Sequence, residues 1–295
     1  MIEATRSVEA QQRVVDSPDE LVGHTPLLRL RLPKIREDVR LLAKLEMFHP
    51  LSSVKDRAAL RMLLEAERSG ALPATGGTVV GTTSGNTGIS LAALCAVRGH
   101  RCVLVMPDNA GAERRAILRS FGAEIAESPC TDGLPAAIEL GERIHRELPG
   151  SRLVAQHRNP ADVLAHYETT GPEIWDGRGG EVDAFVCGAG IGGTLTGSPA
   201  ASGSAPSRRA ARCASSRWSR PGRRCSLAAR RARTGSPASA SAIGLGGGSI
   251  NPVTDVSCID RVVAVGDEDA TQAVSDLARH YGLPAGISSG AVLHA

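Results

Sequence analysis

Lysine is rare in this chain: Lys34, Lys44 and Lys55 are the only lysines among 34 lysine and arginine positions. Lys55 lies in Pro50-Leu51-Ser52-Ser53-Val54-Lys55-Asp56-Arg57. An arginine there would keep its proton at any working pH, so it could neither condense with an aldehyde nor shuttle a proton. A lysine amine does both once its surroundings lower its pKa. Two polar loops supply complementary chemistry. Thr83-Ser84-Gly85-Asn86-Thr87-Gly88 collects hydroxyls and amides ahead of an apolar helix, where unpaired N–H groups favour an anion such as a carboxylate. The same residues also serve as ordinary helix-capping chemistry. Gly188-Ala189-Gly190-Ile191-Gly192-Gly193-Thr194 follows an apolar run, and its glycines let backbone amides close around a phosphate. No acidic ribose partner stands about 20 residues further on, which favours one phosphate over a dinucleotide.

The elements that must hold these loops alternate between strand and helix. Residues 78–80 read as a short strand and 89–97 as an Ala/Leu-rich helix stopped by Gly99. Residues 102–106 read as a buried strand closed by Pro107, and 113–121 as a helix ended by Gly122. A second series starts with a strand at 182–187. This alternation specifies α/β architecture with mostly parallel sheets covered on both faces.

The length of 295 residues fits two domains. No run approaches a membrane span, and the N-terminal residues Glu3 and Glu9 argue against a secretory leader. Seven cysteines without C-x-x-C spacing suit reduced thiols, and eight histidines without paired spacing suggest no metal site. The formal charge of +3 misleads: taking away the ten arginines between Arg208 and Arg233 leaves −7 for the rest. That stretch holds one aromatic residue, Trp218, and no periodic scaffold, so no nucleic-acid partner is expected.

Lys55, the Thr83–Gly88 run and the glycine loop together resemble the cysteine synthase and cystathionine β-synthase family of pyridoxal 5'-phosphate (PLP) enzymes. Gly23-His24-Thr25-Pro26-Leu27, Gln156, Asn159-Pro160, Thr169-Thr170-Gly171-Pro172-Glu173-Ile174-Trp175 and Gly286-Ile287-Ser288-Ser289-Gly290 extend the resemblance over roughly 21–197 and 243–295. It implies two doubly wound α/β domains of the tryptophan synthase β-like type (PLP fold type II). Residues 49–155 would form a smaller mobile domain with the substrate-carboxylate loop. Residues 1–48 and 156–295 would form the larger, phosphate-binding domain. Lys55 would form the internal aldimine and act as the base at the substrate α-carbon. Asn86 would bond the cofactor's ring oxygen, Gly190, Ile191, Gly192, Gly193 and Thr194 would hold its phosphate, and Ser288 would face its ring nitrogen. Thr83, Ser84, Thr87 and Gln156 would take the substrate carboxylate. The implied reaction is β-replacement of O-acetylserine by sulfide through an aminoacrylate, giving L-cysteine, in a cytoplasmic homodimer with no membrane partner. Cystathionine β-synthase, diaminopropionate synthase and O-phosphoserine sulfhydrylase chemistry stay open, as does a catalytically defective product.

Four residues depart from the family pattern: Ile191 for a threonine, His49 for an asparagine, His157 for an aromatic and Gly81 for a common acid. A larger departure covers 198–242, where the resemblance stops and then resumes at Ile243-Gly244 without a change in spacing. Ser198-Pro199-Ala200 interrupts an expected helix, and arginine, alanine, serine, glycine and proline dominate residues 201–242. A shifted reading frame accounts for this. Regrouping the bases of 212–221 yields Val-Arg-Val-Val-Ala-Val-Glu-Pro-Ala, a family-like strand, and 232–239 yields Pro-His-Arg-Ile-Pro-Gly-Ile. A disordered insertion explains neither the preserved length nor the recovered pattern. On this reading an arginine-rich stretch replaces a core strand, and the chain also stops early within the helix after Ser288.

Overall fold

The computed structural model describes residues 14–32, 35–83, 85–200, 226–228, 251–259, 261–263 and 265–295. Strands β1 (Leu27–Leu30) and β2 (Leu41–Lys44) form an antiparallel pair, with Leu27 opposite Lys44. Helix α1 (Lys55–Arg68) follows and packs on α2 (Asn86–Val97) and α5 (Pro160–Ala165). Its buried face, Ala58, Ala59, Met62, Leu63 and Ala66, has helical spacing.

Strands β3 (Thr78–Thr82), β4 (Arg101–Pro107), β5 (Glu124–Ser128) and β6 (Ser151–Leu153) make a parallel sheet in the order β5-β4-β3-β6. Helices α3 (Ala112–Ser120) and α4 (Gly133–Glu147) complete its crossovers. Val79, Val80, Leu104 and Met106 are fully buried, as the near-continuous apolar runs required. The order reverses at β3: β4 and β5 build to one side, and β6 adds on the other. Such a reversal opens a crevice beyond the carboxyl ends of the strands, where ligands bind in open α/β sheets. Gly81 has a packing reason. A Cβ there would sit 3.1 Å from Leu104 Cδ2 and 3.2 Å from Leu91 Cδ1, so the small residue lets α2 lie close on the sheet.

After α6 (Gly171–Asp176), strands β7 (Val186–Gly188), β8 (Ser226–Ala228) and β9 (Arg261–Val263) form a second parallel sheet in that order. Helices α7 (Gly193–Ala200), α8 (Asp267–Tyr281) and α9 (Ile287–His294) accompany it. Among the described residues no helix is long and apolar enough to cross a membrane.

The expectation of α/β architecture with mostly parallel sheets holds, with local corrections. The strand expected at 182–187 begins only at Val186, because Asp183 and Ala184 are exposed. The helix expected to break at Ser198-Pro199 runs on to Ala200. Pro199 lacks the N–H that would bond Leu195 O four residues back, and the Cys258 thiol lies 3.8 Å from that carbonyl instead. The central strand of the second sheet also differs from expectation. Its three residues, Ser226, Leu227 and Ala228, carry no charge, and they lie beyond the 212–221 stretch from which the shifted reading recovers a strand. Residues 201–225 and 229–250, which hold most of the segment assigned to the shifted frame, lie outside the described residues.

Candidate active site

Lys55 is the first residue of α1, and its neighbours hold the loop that presents it. Its own N–H donates to Ser53 Oγ at 3.2 Å. The buried Asp56 accepts from Leu51 N at 2.9 Å and from Ser90 Oγ of α2 at 2.6 Å. Burial raises the Asp56 carboxyl above its usual range against the pull of those two hydrogen bonds. His49 ties the same loop: Nδ1 lies 2.9 Å from Glu46 O and 3.0 Å from Ser53 O. Two carbonyl partners make Nδ1 the protonated nitrogen.

Arg57, two residues on, is buried in an ionic cluster. Its guanidinium donates to Glu46 (Nε–Oε2 2.7 Å) and to both oxygens of Glu173 in α6, each at 2.7 Å. Lys44 Nζ lies 2.7 Å from Glu173 Oε2 and also donates to Thr25 O. His24 N donates to Glu173 Oε1 at 2.9 Å, which ties the Gly23–Leu27 motif to the Glu173 motif. Burial alone would raise the Glu173 carboxyl, but the bonds from Arg57 and Lys44 outweigh it and hold it at about 2.

The Thr83–Gly88 loop and Gln156 meet across the crevice of the first sheet, one leaving β3 and the other following β6. Thr87 Oγ1 donates to Gln156 Oε1 at 2.8 Å, and Gln156 Nε2 donates to Asp162 Oδ1 at 3.0 Å. Thr83 Oγ1 accepts from Gly85 N at 3.2 Å. Asn86 is exposed in the first turn of α2, and Ser84 lies outside the described residues. Asn159 caps α5 by accepting from Ala161 N at 3.0 Å, and Pro160 takes a first-turn position where no N–H is needed.

Helix α5 joins this crevice to the glycine loop. Asp162 accepts a hydrogen bond from Gly193 N. A Cβ at Gly193 would lie 2.0 Å from Asp162 Oδ2, and one at Gly192 (φ +106) 2.1 Å from Thr254 Oγ1. Both positions therefore require glycine. Gly197 likewise lets α7 cross α5, since a Cβ there would meet Val163 O at 2.3 Å. Thr254 Oγ1 donates to Ile191 O at 2.8 Å, fixing the loop from behind. His166 closes the other side, with Nε2 3.1 Å from Thr194 Oγ1 and Nδ1 2.9 Å from Thr170 Oγ1.

The Lys55 charge acts on both Asp162 and His166. Burial raises the Asp162 carboxyl, opposed first by Lys55. Burial, then Lys55, Arg57 and His49, push the His166 imidazole well below its ordinary value, so it is neutral. Lys55 thus begins the helix that packs on α5, and its charge is felt by the two residues that grip Gly193 and Thr194. Ser288 is exposed in the first turn of α9, a helix that packs on β7 where the glycine loop begins. His157 is half-buried and its imidazole is lowered by burial and by Arg158. Among the described residues no cluster suits a metal ion.

Asp162, His166, Thr254 and the Glu46–Arg57–Glu173 cluster were not singled out from sequence. Their signal was faint: Asp162 and His166 stand four residues apart between two recognisable motifs, a spacing that places both on one helix face.

The donor set suits an aldehyde-bearing phosphate ester. It offers a helix N-terminus of obligatory glycines, a hydroxyl at Thr194 and a primary amine at the start of the helix packed on α5. Comparison with known proteins agrees. The family described as "Pyridoxal-phosphate dependent enzyme" matches residues 19–295. A "Probable cysteine synthase" of Bacillus subtilis (strain 168) is 34% identical over 286 residues, covering 96% of this chain and 88% of the relative. "Cysteine synthase A" of Escherichia coli (strain K12) is 37% identical over 290 residues, covering 93% and 83%. Among solved structures, an O-ureido-L-serine synthase superposes with a TM-score of 0.81 at 33% identity, covering 96% of this chain and 85% of that one. A hydrogen sulfide-producing enzyme from Fusobacterium nucleatum gives 0.80 at 30% identity, covering 95% and 90%. The chain belongs to the pyridoxal-phosphate dependent enzymes of fold type II, in their cysteine synthase branch of β-replacement enzymes.

Proposed function

We propose that this chain makes L-cysteine from O-acetylserine and sulfide, with Lys55 as the catalytic residue. The observation that carries the reading is that Lys55 starts α1, the helix packed on α5, and acts electrostatically on Asp162 and His166, the residues bonded to Gly193 and Thr194 of the glycine loop. PLP, when bound, supplies an electron sink that acidifies the substrate Cα–H and loosens the β-substituent. The chain's own groups divide the remaining work. Backbone amides from Gly190, Ile191, Gly192 and Gly193 and the Thr194 hydroxyl hold the phosphate. Asn86 bonds the ring oxygen, and Ser288 faces the ring nitrogen. A serine there leaves that nitrogen without the charge partner a carboxylate would give, which suits elimination. Thr83, Ser84, Thr87 and Gln156 orient the substrate carboxylate, and Lys55 Nζ takes the proton from Cα.

Residues 49–155 act in this reading as a smaller body that closes on 1–48 and 156–295. The Thr87–Gln156 bond and the Arg57 cluster are two links between them. The protein is read as a cytoplasmic homodimer, which sedimentation of the purified chain tests.

Lys55→Ala tests the chemistry. The wild-type chain should show the visible absorbance of PLP joined to an amine, and the variant should lose that band. A band that survives the substitution refutes the assignment of Lys55. Product formation with O-acetylserine and sulfide is expected to exceed that with O-phosphoserine or with homocysteine as nucleophile. The reverse order would move the chain to a neighbouring β-replacement activity.

A further inference from the structure

His166 is at once deeply buried, 1% exposed, and bonded at both ring nitrogens to threonine hydroxyls. A neutral imidazole carries one proton, so two arrangements of the Thr170–His166–Thr194 chain exist. In the first, Nδ1–H donates to Thr170 Oγ1 and the Thr194 hydroxyl donates to Nε2. In the second, the Thr170 hydroxyl donates to Nδ1 and Nε2–H donates to Thr194 Oγ1. The two threonines sit in different surroundings. Thr170 is 2% exposed, and His166 Nδ1 is the one hydrogen-bond partner of its Oγ1 among the described residues. The first arrangement would therefore strand the Thr170 hydroxyl proton in a buried site with no acceptor, which folded proteins avoid. Thr194 is half-buried, in the first turn of α7, where a hydroxyl proton can reach solvent or an anion. The second arrangement leaves no buried donor unmet.

We propose that His166 is a positioning residue, fixed by Thr170 as the Nε2–H tautomer, that occupies a lone pair of Thr194 Oγ1 and so turns the Thr194 hydroxyl proton toward the cofactor phosphate. The proposal rests on the proposed function, because it takes the glycine loop to hold that phosphate. Three features serve one end. Gly197 brings α7 against α5, His166 follows directly on the end of α5, and the π-turn His166–Thr170 brings the Thr170 hydroxyl back to the ring. Without the relay, the Thr194 hydroxyl is free to donate to the imidazole, and the phosphate loses a donor. Ile191 adds no hydroxyl to this loop, so the direction of Thr194 counts for more here.

Two measurements test this, neither of them turnover. Histidine-selective nitrogen-15 spectra of the cofactor-free chain, assigned with His166→Gln, should show His166 protonated at Nε2. Titration with PLP should give a dissociation constant about tenfold weaker for Thr170→Val, the size of one lost oriented hydrogen bond. In a Thr194→Val background the same Thr170→Val change should alter it by less than about twofold, because the hydroxyl being aimed is gone. Purely structural damage at Thr170 would weaken both backgrounds equally, and that result overturns the proposal, as does an Nδ1–H tautomer. The two readings fail separately. A chain that binds PLP through Lys55 with His166 protonated at Nδ1 overturns the positioning role alone, whereas a chain that takes up no PLP overturns both.

Discussion

Replacing Glu173 by glutamine removes one charge from the cluster that joins α1 to α6. In the native chain Glu173 receives two bonds from Arg57, one from Lys44 and one from His24 N. The carboxyl is held at about 2 against an ordinary 4.5, and each unit is worth about 1.4 kcal/mol, so the ionised form contributes about 3 kcal/mol at neutral pH. The cost of breaking a buried pair, about 3–5 kcal/mol, agrees. Glu46 stays bonded to Arg57, which keeps the loss at the lower end of that range. Because the folded carboxyl is depressed, its contribution is fully present above 4.5 and disappears as pH falls toward 2. Urea unfolding followed by circular dichroism at several pH values reads both quantities. At pH 7 Glu173→Gln should lose about 3 kcal/mol, and the gap to wild type should narrow steadily below pH 4.5. A loss under about 1 kcal/mol at pH 7, or a gap independent of pH, would show that the cluster is merely a solvated ion pair.

Gly193→Ala should weaken PLP binding by about tenfold or more while the chain stays folded, since overpacking against Asp162 Oδ2 must displace the loop. Gly111→Ala, with open space around its Cβ position, is the control and should change the dissociation constant by less than about twofold. Equal affinities for the two variants would contradict the tight fit. Resequencing across codons 197 to 243 checks the shifted frame, and a gene with an intact frame and bases unlike the regrouped reading rules it out. A chain translated in the restored frame should unfold at higher urea concentration and take up more PLP than the chain as it stands, because an apolar run then replaces a segment of ten arginines with no acid to pair them.

The chemistry was the most legible level in the sequence because reactive groups are constrained one residue at a time. A lysine kept among arginines, a hydroxyl-rich loop before a helix and a glycine loop after a strand each have a local physical reason. Strand and helix alternation was legible for a similar reason, since burial on both faces demands apolar runs such as those at Val79–Val80 and Leu104–Met106. Element ends were less so. Pro199 reads as a helix breaker, yet α7 continues one residue past it, to Ala200.

Local patterning thus established an α/β chain and singled out a glycine loop after a strand and a lysine before a helix, because each depends on neighbours within a turn or a strand. Tertiary contacts decided the rest. They brought Thr87 to Gln156, 69 residues apart, and Thr194 to His166, 28 residues apart, and they placed Arg57 against Glu173, 116 residues apart. No periodicity encodes such pairings: they arise from the reversal of strand order at β3 and from the close crossing of α5 and α7 at Gly197, which exist only once the chain has folded.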